Sequence, residues 1–336
     1  PQSISFRFSH EPVMFFAIAR HIASAVTTML VATILISSAW ATSPPPEGLV
    51  LWLDASDVNN DGKPDAQPSN GKPLAFWLDK SGKGNHVTQD KIAQQPTYET
   101  GQFGGKPAVR FHGNDQLTGG KFEGFPSRDQ PIHIVLVMRT KRDSTHSHPR
   151  LLEFQPTDGD LSKPNTVKQR GFWVGPQGDG RMQIGTHYGD EGSALSVSCD
   201  GRSHVVEIIY AGAQNWIHFL DGSRDGAGLL GGRDFHGFKK EVRLAIGQQF
   251  GWEDPNSYFE GDLAEVLIYN RMLDSDDQNS IKSYLATKYA LDLSIETAPH
   301  FERDVSPILA QHCHECHGSD LQEAGVDLRS VTAMLR

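Results

Sequence analysis

From Gly48 to Leu293 the chain is cut into short apolar runs by Gly, Asn and Asp, and this punctuation limits its fold more than any other feature. Runs of that length, rich in β-branched and aromatic residues, read as strands rather than helices. The predicted strands are Leu49–Asp54, Ala108–His112, Ile132–Thr140, Arg150–Phe154, Gly171–Val174, Met182–Thr186, Val205–Tyr210, Trp216–Asp221, Val242–Ile246 and Leu263–Tyr269. Asp200-Gly201 and Asp221-Gly222 mark turns between them. Apolar residues run unbroken from Ile134 to Met138, as expected for a strand inside a packed sandwich. The 33 Gly and 19 Pro, with only 21% charged residues, agree with many turns. Roughly 250 residues of this kind are enough for one two-sheet sandwich. A single late helix is predicted: Asp274 caps it, Asp276 and Asp277 face the positive end of its dipole, and Ile281, Leu285 and Tyr289 share one side.

The two ends carry different signals. Cys313-His314-Glu315-Cys316-His317 has the C-x-x-C-H form that attaches a c-type haem: two thiols on one porphyrin and the adjoining imidazole on its iron. Cys313 and Cys316 are then the covalent positions and His317 the axial ligand, with Met334 a candidate for the distal side. A zinc site would want a second ligand pair, and a thioredoxin-like motif a βαβ setting; the sequence offers neither. At the other end, residues 14–41 combine Arg20, an apolar stretch from Ala23 to Ile36, and Ala39-Trp40-Ala41. These read as a signal peptide cleaved after Ala41, too short and too often interrupted by Ser and Thr for a spanning helix. Residues 1–13, upstream of Met14, read as over-extended translation. Export to the periplasm or cell envelope, with no stable membrane span after cleavage, follows as an expectation.

Net charge is -10, with 31 Lys+Arg against 41 Asp+Glu, which argues against a nucleic-acid partner. Three cysteines cannot make a disulfide framework. Cys199, after Leu195 and Val197, is expected as a small buried hydrophobe on an alternating strand. Asp57-Val58-Asn59-Asn60-Asp61-Gly62-Lys63-Pro64-Asp65 has the D-x-N-x-D-G spacing of calcium loops. Asp57, Asn59, Asp61 and Asp65 would give side-chain oxygens and Lys63 its carbonyl, although the twelfth position is Pro68 rather than Glu. An Asx-rich surface turn accounts for the same residues. Glu260, Asp262 and Glu265 match the E-x-D-x-x-E spacing of jelly-roll glycosidases. Period two sets Glu265 on the opposite face from the other two unless a bulge intervenes. Trp252 and Tyr258 lie on a loop where aromatic rings could stack on a sugar, and His146 and His148 share a polar loop open to a metal.

Three stretches, Leu51–Asp57, Phe76–Gly82 and Lys106–Gly113, together with Phe259–Arg271 and the helix ending Tyr284–Tyr289, resemble the LamG-like, concanavalin A-like jelly-roll domains of exported bacterial proteins. Phe301–Leu309, His312–Gly318 and Gly325–Arg329 resemble the planctomycete-type cytochrome c domain. That family continues through a Met-Pro-Pro segment, so this domain reads as incomplete at Arg336. The resemblance implies a mainly β fold, a jelly-roll sandwich with a closing helix and a small helical haem segment. The domains implied are a spacer at 42–47, a sandwich at 48–293, a linker at 294–300 and a cytochrome segment at 301–336. The function expected on this basis is electron transfer through haem c to a redox partner protein, with the sandwich binding polysaccharide or protein and no enzymatic activity of its own. Two alternatives stand beside it: a binding module whose haem is structural or sensory, and a jelly-roll glycoside hydrolase.

Overall fold

Alternating apolar residues give each long strand one face for a shared core, and a computed structural model of the chain arranges these strands as two antiparallel sheets. The structure describes residues 43–63, 65, 69–126, 130–141, 149–157, 172–186, 191–230, 241–249, 254–294, 309, 313–318 and 326–330. The chain divides into two units, Pro1–Thr42 and Ser43–Arg336, and all described residues belong to the second. The leader, His146, His148, Trp252 and Met334 lie outside the described residues.

The first sheet runs β15 (Ser223–Leu229), β14 (Asn215–Leu220), β13 (His204–Gly212), β8 (Ile132–Thr140), β17 (Glu260–Tyr269), β6 (Lys106–His112), β5 (Thr97–Phe103), β2 (Lys72–Pro73). β1 (Leu49–Asp54) joins it beside the second half of β17. The second sheet runs β12 (Glu191–Ser193), β11 (Met182–Thr186), β10 (Phe172–Pro176), β9 (Leu152–Pro156), β16 (Val242–Ile246), β7 (Leu117–Lys121), β4 (Val87–Thr88), β3 (Phe76–Trp77). Leu136, Met138, Leu263, Val266 and Ile268 of the first sheet meet Leu152, Phe154, Phe172, Val174 and Leu244 of the second in one core. No helix among the described residues is long and apolar enough to cross a membrane.

Ser275–Tyr289 forms helix α1, with the Asp274 carboxylate accepting from the Asp277 N–H as its cap. It ends at Ala290 in the left-handed region, whose N–H returns to the Ala286 carbonyl. The helix covers the outward face of the first sheet, burying Ile281, Tyr284, Leu285 and Tyr289. Gly104 makes close approach possible, because a Cβ there would overlap the Tyr289 carbonyl.

One strand expectation is corrected. Leu195 to Cys199 is loop, not strand: β12 stops at Ser193, and Leu195 and Val197 are exposed. Cys199 is partly buried against the core, and burial pushes its thiol up to about 11.

The turn Asp221-Gly222 holds a titratable cluster. His204 Nδ1 lies 2.7 Å from Asp221 Oδ2 and its Nε2 3.2 Å from Asp200 Oδ1. The hydrogen bond to Asp221 raises the His204 pKa, burial opposes it, and Asp200 adds to the rise. A folded-state pKa above the unfolded value contributes stability that is complete below the unfolded pKa and fades as pH rises through the folded one. The expected result is a melting-temperature gap between the wild type and His204→Gln that is wider at pH 5.5 than at pH 8.5. A gap independent of pH would refute it.

Candidate functional site

β17 pairs Asp262 with Arg110 of β6 on one side and with Arg139 of β8 on the other. Directly paired residues share a face, so both guanidiniums reach the one carboxylate. Arg110 Nε donates to Asp262 Oδ1 at 2.6 Å, and Arg139 Nε donates to Oδ2 at 3.0 Å. The Nη2 groups of both arginines also donate to Gln102 Oε1, at 3.0 and 2.7 Å. Two residues along each strand stand His112, Lys141 and Glu260. Lys141 Nζ donates to Glu260 Oε1 at 2.9 Å, and His112 Nδ1 lies 2.7 Å from Asp115 Oδ2.

Arg110, His112, Arg139, Lys141, Glu260 and Asp262 line a cleft of about 630 Å³. Gly261 sits between its two acidic residues with φ +155°, and a Cβ there would overlap the Arg139 carbonyl and press on the Phe259 ring. Arg139 and Arg110 remain 26% and 34% exposed, so both guanidiniums are partly open to solvent. Glu99 lies 3.9 Å from Arg110 Nη1, so Arg110, Arg139 and Lys141 stand among four carboxylates, Glu99, Asp115, Glu260 and Asp262. A wall of fixed donors beside fixed acceptors, with both charges interleaved, suits a hydroxyl-rich ligand.

Sequence reasoning found Glu260 and Asp262 but missed Arg110, Arg139, Lys141 and Gln102. The available signal was period two: Arg110/His112, Arg139/Lys141 and Glu260/Asp262 are each spaced i, i+2 near a strand end.

Glu265 belongs elsewhere. A bulge between Leu263 and Glu265 turns it onto the outward face, beneath α1 rather than into the cleft. Its Oε1 accepts from Trp52 Nε1 at 2.7 Å and Tyr284 Oη at 2.8 Å; its Oε2 accepts from Lys288 Nζ at 2.8 Å and Tyr289 Oη at 2.7 Å. Burial raises its pKa, and Lys288 only partly offsets that. Asp54, beside Lys288 and Lys80, moves the other way: burial raises it, but the two ammonium groups more than reverse the effect. This set fastens a helix and holds no glycosidase pair.

The calcium-loop oxygens turn to the loop's own backbone. Asp57 Oδ1 accepts from the Asp61 N–H at 3.0 Å, and Oδ2 ion-pairs with Lys80 at 2.8 Å. Asn59 Oδ1 accepts from Asp61 N–H at 3.0 Å, Asp61 Oδ1 from Lys63 N–H at 2.9 Å, and Asp65 Oδ2 from Val58 N–H at 2.6 Å. Such bonds are the chemistry of Asx turns. Among the described residues, no group of three or more His, Cys, Asp or Glu side chains is placed to hold a metal ion.

Tyr258 is 9% exposed and its backbone bridges to that of Arg150, so its ring is largely withdrawn from solvent. Cys313 caps a single helical turn, His314–His317, and its carbonyl accepts from the Cys316 and His317 N–H groups. The two thiols and the imidazole thus share one turn, and His317 Nδ1 lies 3.3 Å from the Val326 carbonyl.

No protein-family model matches the chain, and no curated protein matches it. Solved structures do. An arabinofuranosidase complexed with arabinofuranosyl-alpha-1,2-xylobiose aligns over 79% of this chain and 63% of its own, at 16% identity and a TM-score of 0.50. A GH54 α-L-arabinofuranosidase soaked with a cyclic sulfate inhibitor covers the same shares at 17% identity and a TM-score of 0.51. The Trypanosoma rangeli sialidase in complex with sialic acid covers 75% of this chain and 34% of its own, at 13% identity and a TM-score of 0.46. The chain therefore spans less than two thirds of the length of the arabinofuranosidases it matches. The electron-transfer expectation is corrected by this comparison: the two arabinofuranosidases matched are carbohydrate-active β-sandwich proteins.

Proposed function

We propose that this chain is a carbohydrate-binding β-sandwich that holds a saccharide in the cleft at Arg110, Arg139 and Glu260. The observation that carries this reading is the open wall of pre-positioned hydrogen-bonding groups, cationic and anionic side by side, around about 630 Å³. Guanidinium and ammonium N–H groups donate to sugar oxygens, and carboxylates accept from sugar hydroxyls. The reading is binding without hydrolysis. Hydrolysis wants two carboxyl groups acting as acid and nucleophile or base. Among the described residues of the cleft, Asp262 is tied to two arginines and Glu260 to Lys141, while Glu265 is buried under α1. Export of the chain belongs to the same reading, supported by the leader pattern of residues 14–41. So does membership in the LamG-like jelly-roll class, supported by Leu51–Asp57 and Phe259–Arg271.

The test uses arabinofuranosyl-xylobiose, the saccharide seated in one of the matched structures, beside xylobiose and cellobiose. Calorimetric titration should give millimolar or tighter binding of at least one. Lys141→Met combined with Glu260→Gln should weaken it at least tenfold, since each lost charge-assisted hydrogen bond is worth roughly 1.5–3 kcal/mol. Lys141 is 60% exposed, so its replacement should leave the melting temperature unchanged. Undiminished affinity in the double variant would remove the cleft from the proposal, and release of free sugar by the wild type would remove the non-catalytic reading.

A further inference from the structure

The cleft does not present its two kinds of charge equally. Arg110, Arg139 and Lys141 all line it, with His112, whereas Glu260 and Asp262 are the carboxylates in the lining; Glu99 and Asp115 are not part of it. The ion pairs are also turned one way. In the Lys141–Glu260 pair the cation is 60% exposed and the carboxylate 14%. Arg110 and Arg139 are 34% and 26% exposed, around an Asp262 carboxylate that is 4% exposed. His112 is 45% exposed over Asp115, at 4%. Gly201 lines the same cleft, and its neighbours Asp200 and Arg202 form one more pair of this polarity, 19% and 75% exposed.

Strand order gives the reason. Asp262 stands on the middle strand, and two longer side chains from β6 and β8 reach across its short one. Seen from the opening, each pair is a dipole with its positive end outward. Coulomb energy falls with distance, so the nearer end of a dipole sets the sign that a ligand meets. An entering group therefore meets N–H donors of cations first, although nearby carboxylates outnumber the cations.

We propose that the cleft selects an acidic saccharide, one carrying a hexuronate carboxylate, over the neutral sugar of the same skeleton; this rests on the cleft being a saccharide site. Lys141 is the most exposed of the three cations in the lining and receives the uronate carboxylate. An ammonium has three N–H donors, so it can hold Glu260 and the ligand together. Arg139 and Arg110 add positive charge beside it. The sugar hydroxyls take the remaining donors and acceptors of the wall.

The test compares sugars that differ only in their carboxyl groups: cellobiose with cellobiouronic acid, and galactobiose with digalacturonate, titrated calorimetrically into the full chain. At least one acid should bind tenfold or more tighter than its neutral partner, with an advantage that shrinks between about 20 mM and about 500 mM salt. Lys141→Glu should abolish that advantage and Lys141→Arg should keep it, a rescue by charge that a merely structural role would not produce. Acid and neutral forms bound alike, or the acid bound more weakly, overturns the inference and leaves the saccharide reading standing. So does an acid preference that survives in Lys141→Glu. Failure of all four sugars to bind overturns both.

Discussion

Glu265→Ala is expected to lower the unfolding free energy by about 3–5 kcal/mol, the range for removing one member of a buried charged network. The carboxylate is fully buried and receives four donors: Trp52 from β1, and Tyr284, Lys288 and Tyr289 from α1. Truncation strips Trp52 Nε1 and Tyr284 Oη of this acceptor, leaves Tyr289 Oη only the Ala264 carbonyl at 3.3 Å, and opens a void between strand and helix. The Lys288 ammonium loses one of its two carboxylates and keeps only Asp54, at 2.8 Å. Equilibrium unfolding in guanidinium chloride, followed by tryptophan fluorescence, measures the change. Glu265→Gln should lose less, because the amide oxygen still accepts from two donors. A loss below about 1 kcal/mol in the alanine variant would show that apolar packing of α1, rather than this network, holds the helix down.

Phe154→Ala should cost a comparable amount, about 3–5 kcal/mol, through an entirely different mechanism. The ring sits at the centre of the core, with Phe125, Phe172 and Phe122 at centroid distances of 4.8, 5.7 and 5.8 Å. Phe122 and Phe172 are themselves buried members of the same core, with Phe125 packed against it, so the site cannot close freely around the missing ring. The predicted fall in melting temperature is on the order of 10 °C. Scanning calorimetry reads it directly. Phe154→Leu fills most of the space and should fall by less than half as much. Equal losses for leucine and alanine would mean that ring-to-ring geometry, not filled volume, sets the energy here.

The long strands are legible in the sequence because alternation needs only neighbours two residues apart. Ile132–Thr140, Met182–Thr186 and Val242–Ile246 have the bounds read from their apolar pattern. The Asp274 cap and the acidic first turn of α1 are legible for the same local reason. β2, β3 and β4 are two residues each, and β7 and β15 are glycine-rich; their strand character comes from the partner alongside, which a local pattern does not contain. The calcium spacing from Asp57 to Asp65 is legible too, whereas the backbone N–H groups that those oxygens meet are not written in the spacing.

The sequence by itself determined that this chain builds a two-sheet sandwich closed by one late helix, because strand alternation, turn residues and helix capping are each written within a few neighbouring positions. Only the tertiary structure decided what the carboxylates of the last strand do. One extra residue at the β17 bulge turns Glu265 under the helix, while Asp262 meets an arginine 152 positions away in the chain. Register and bulges are set by which strands lie side by side, and that is a property of the assembled sheet rather than of any stretch of sequence.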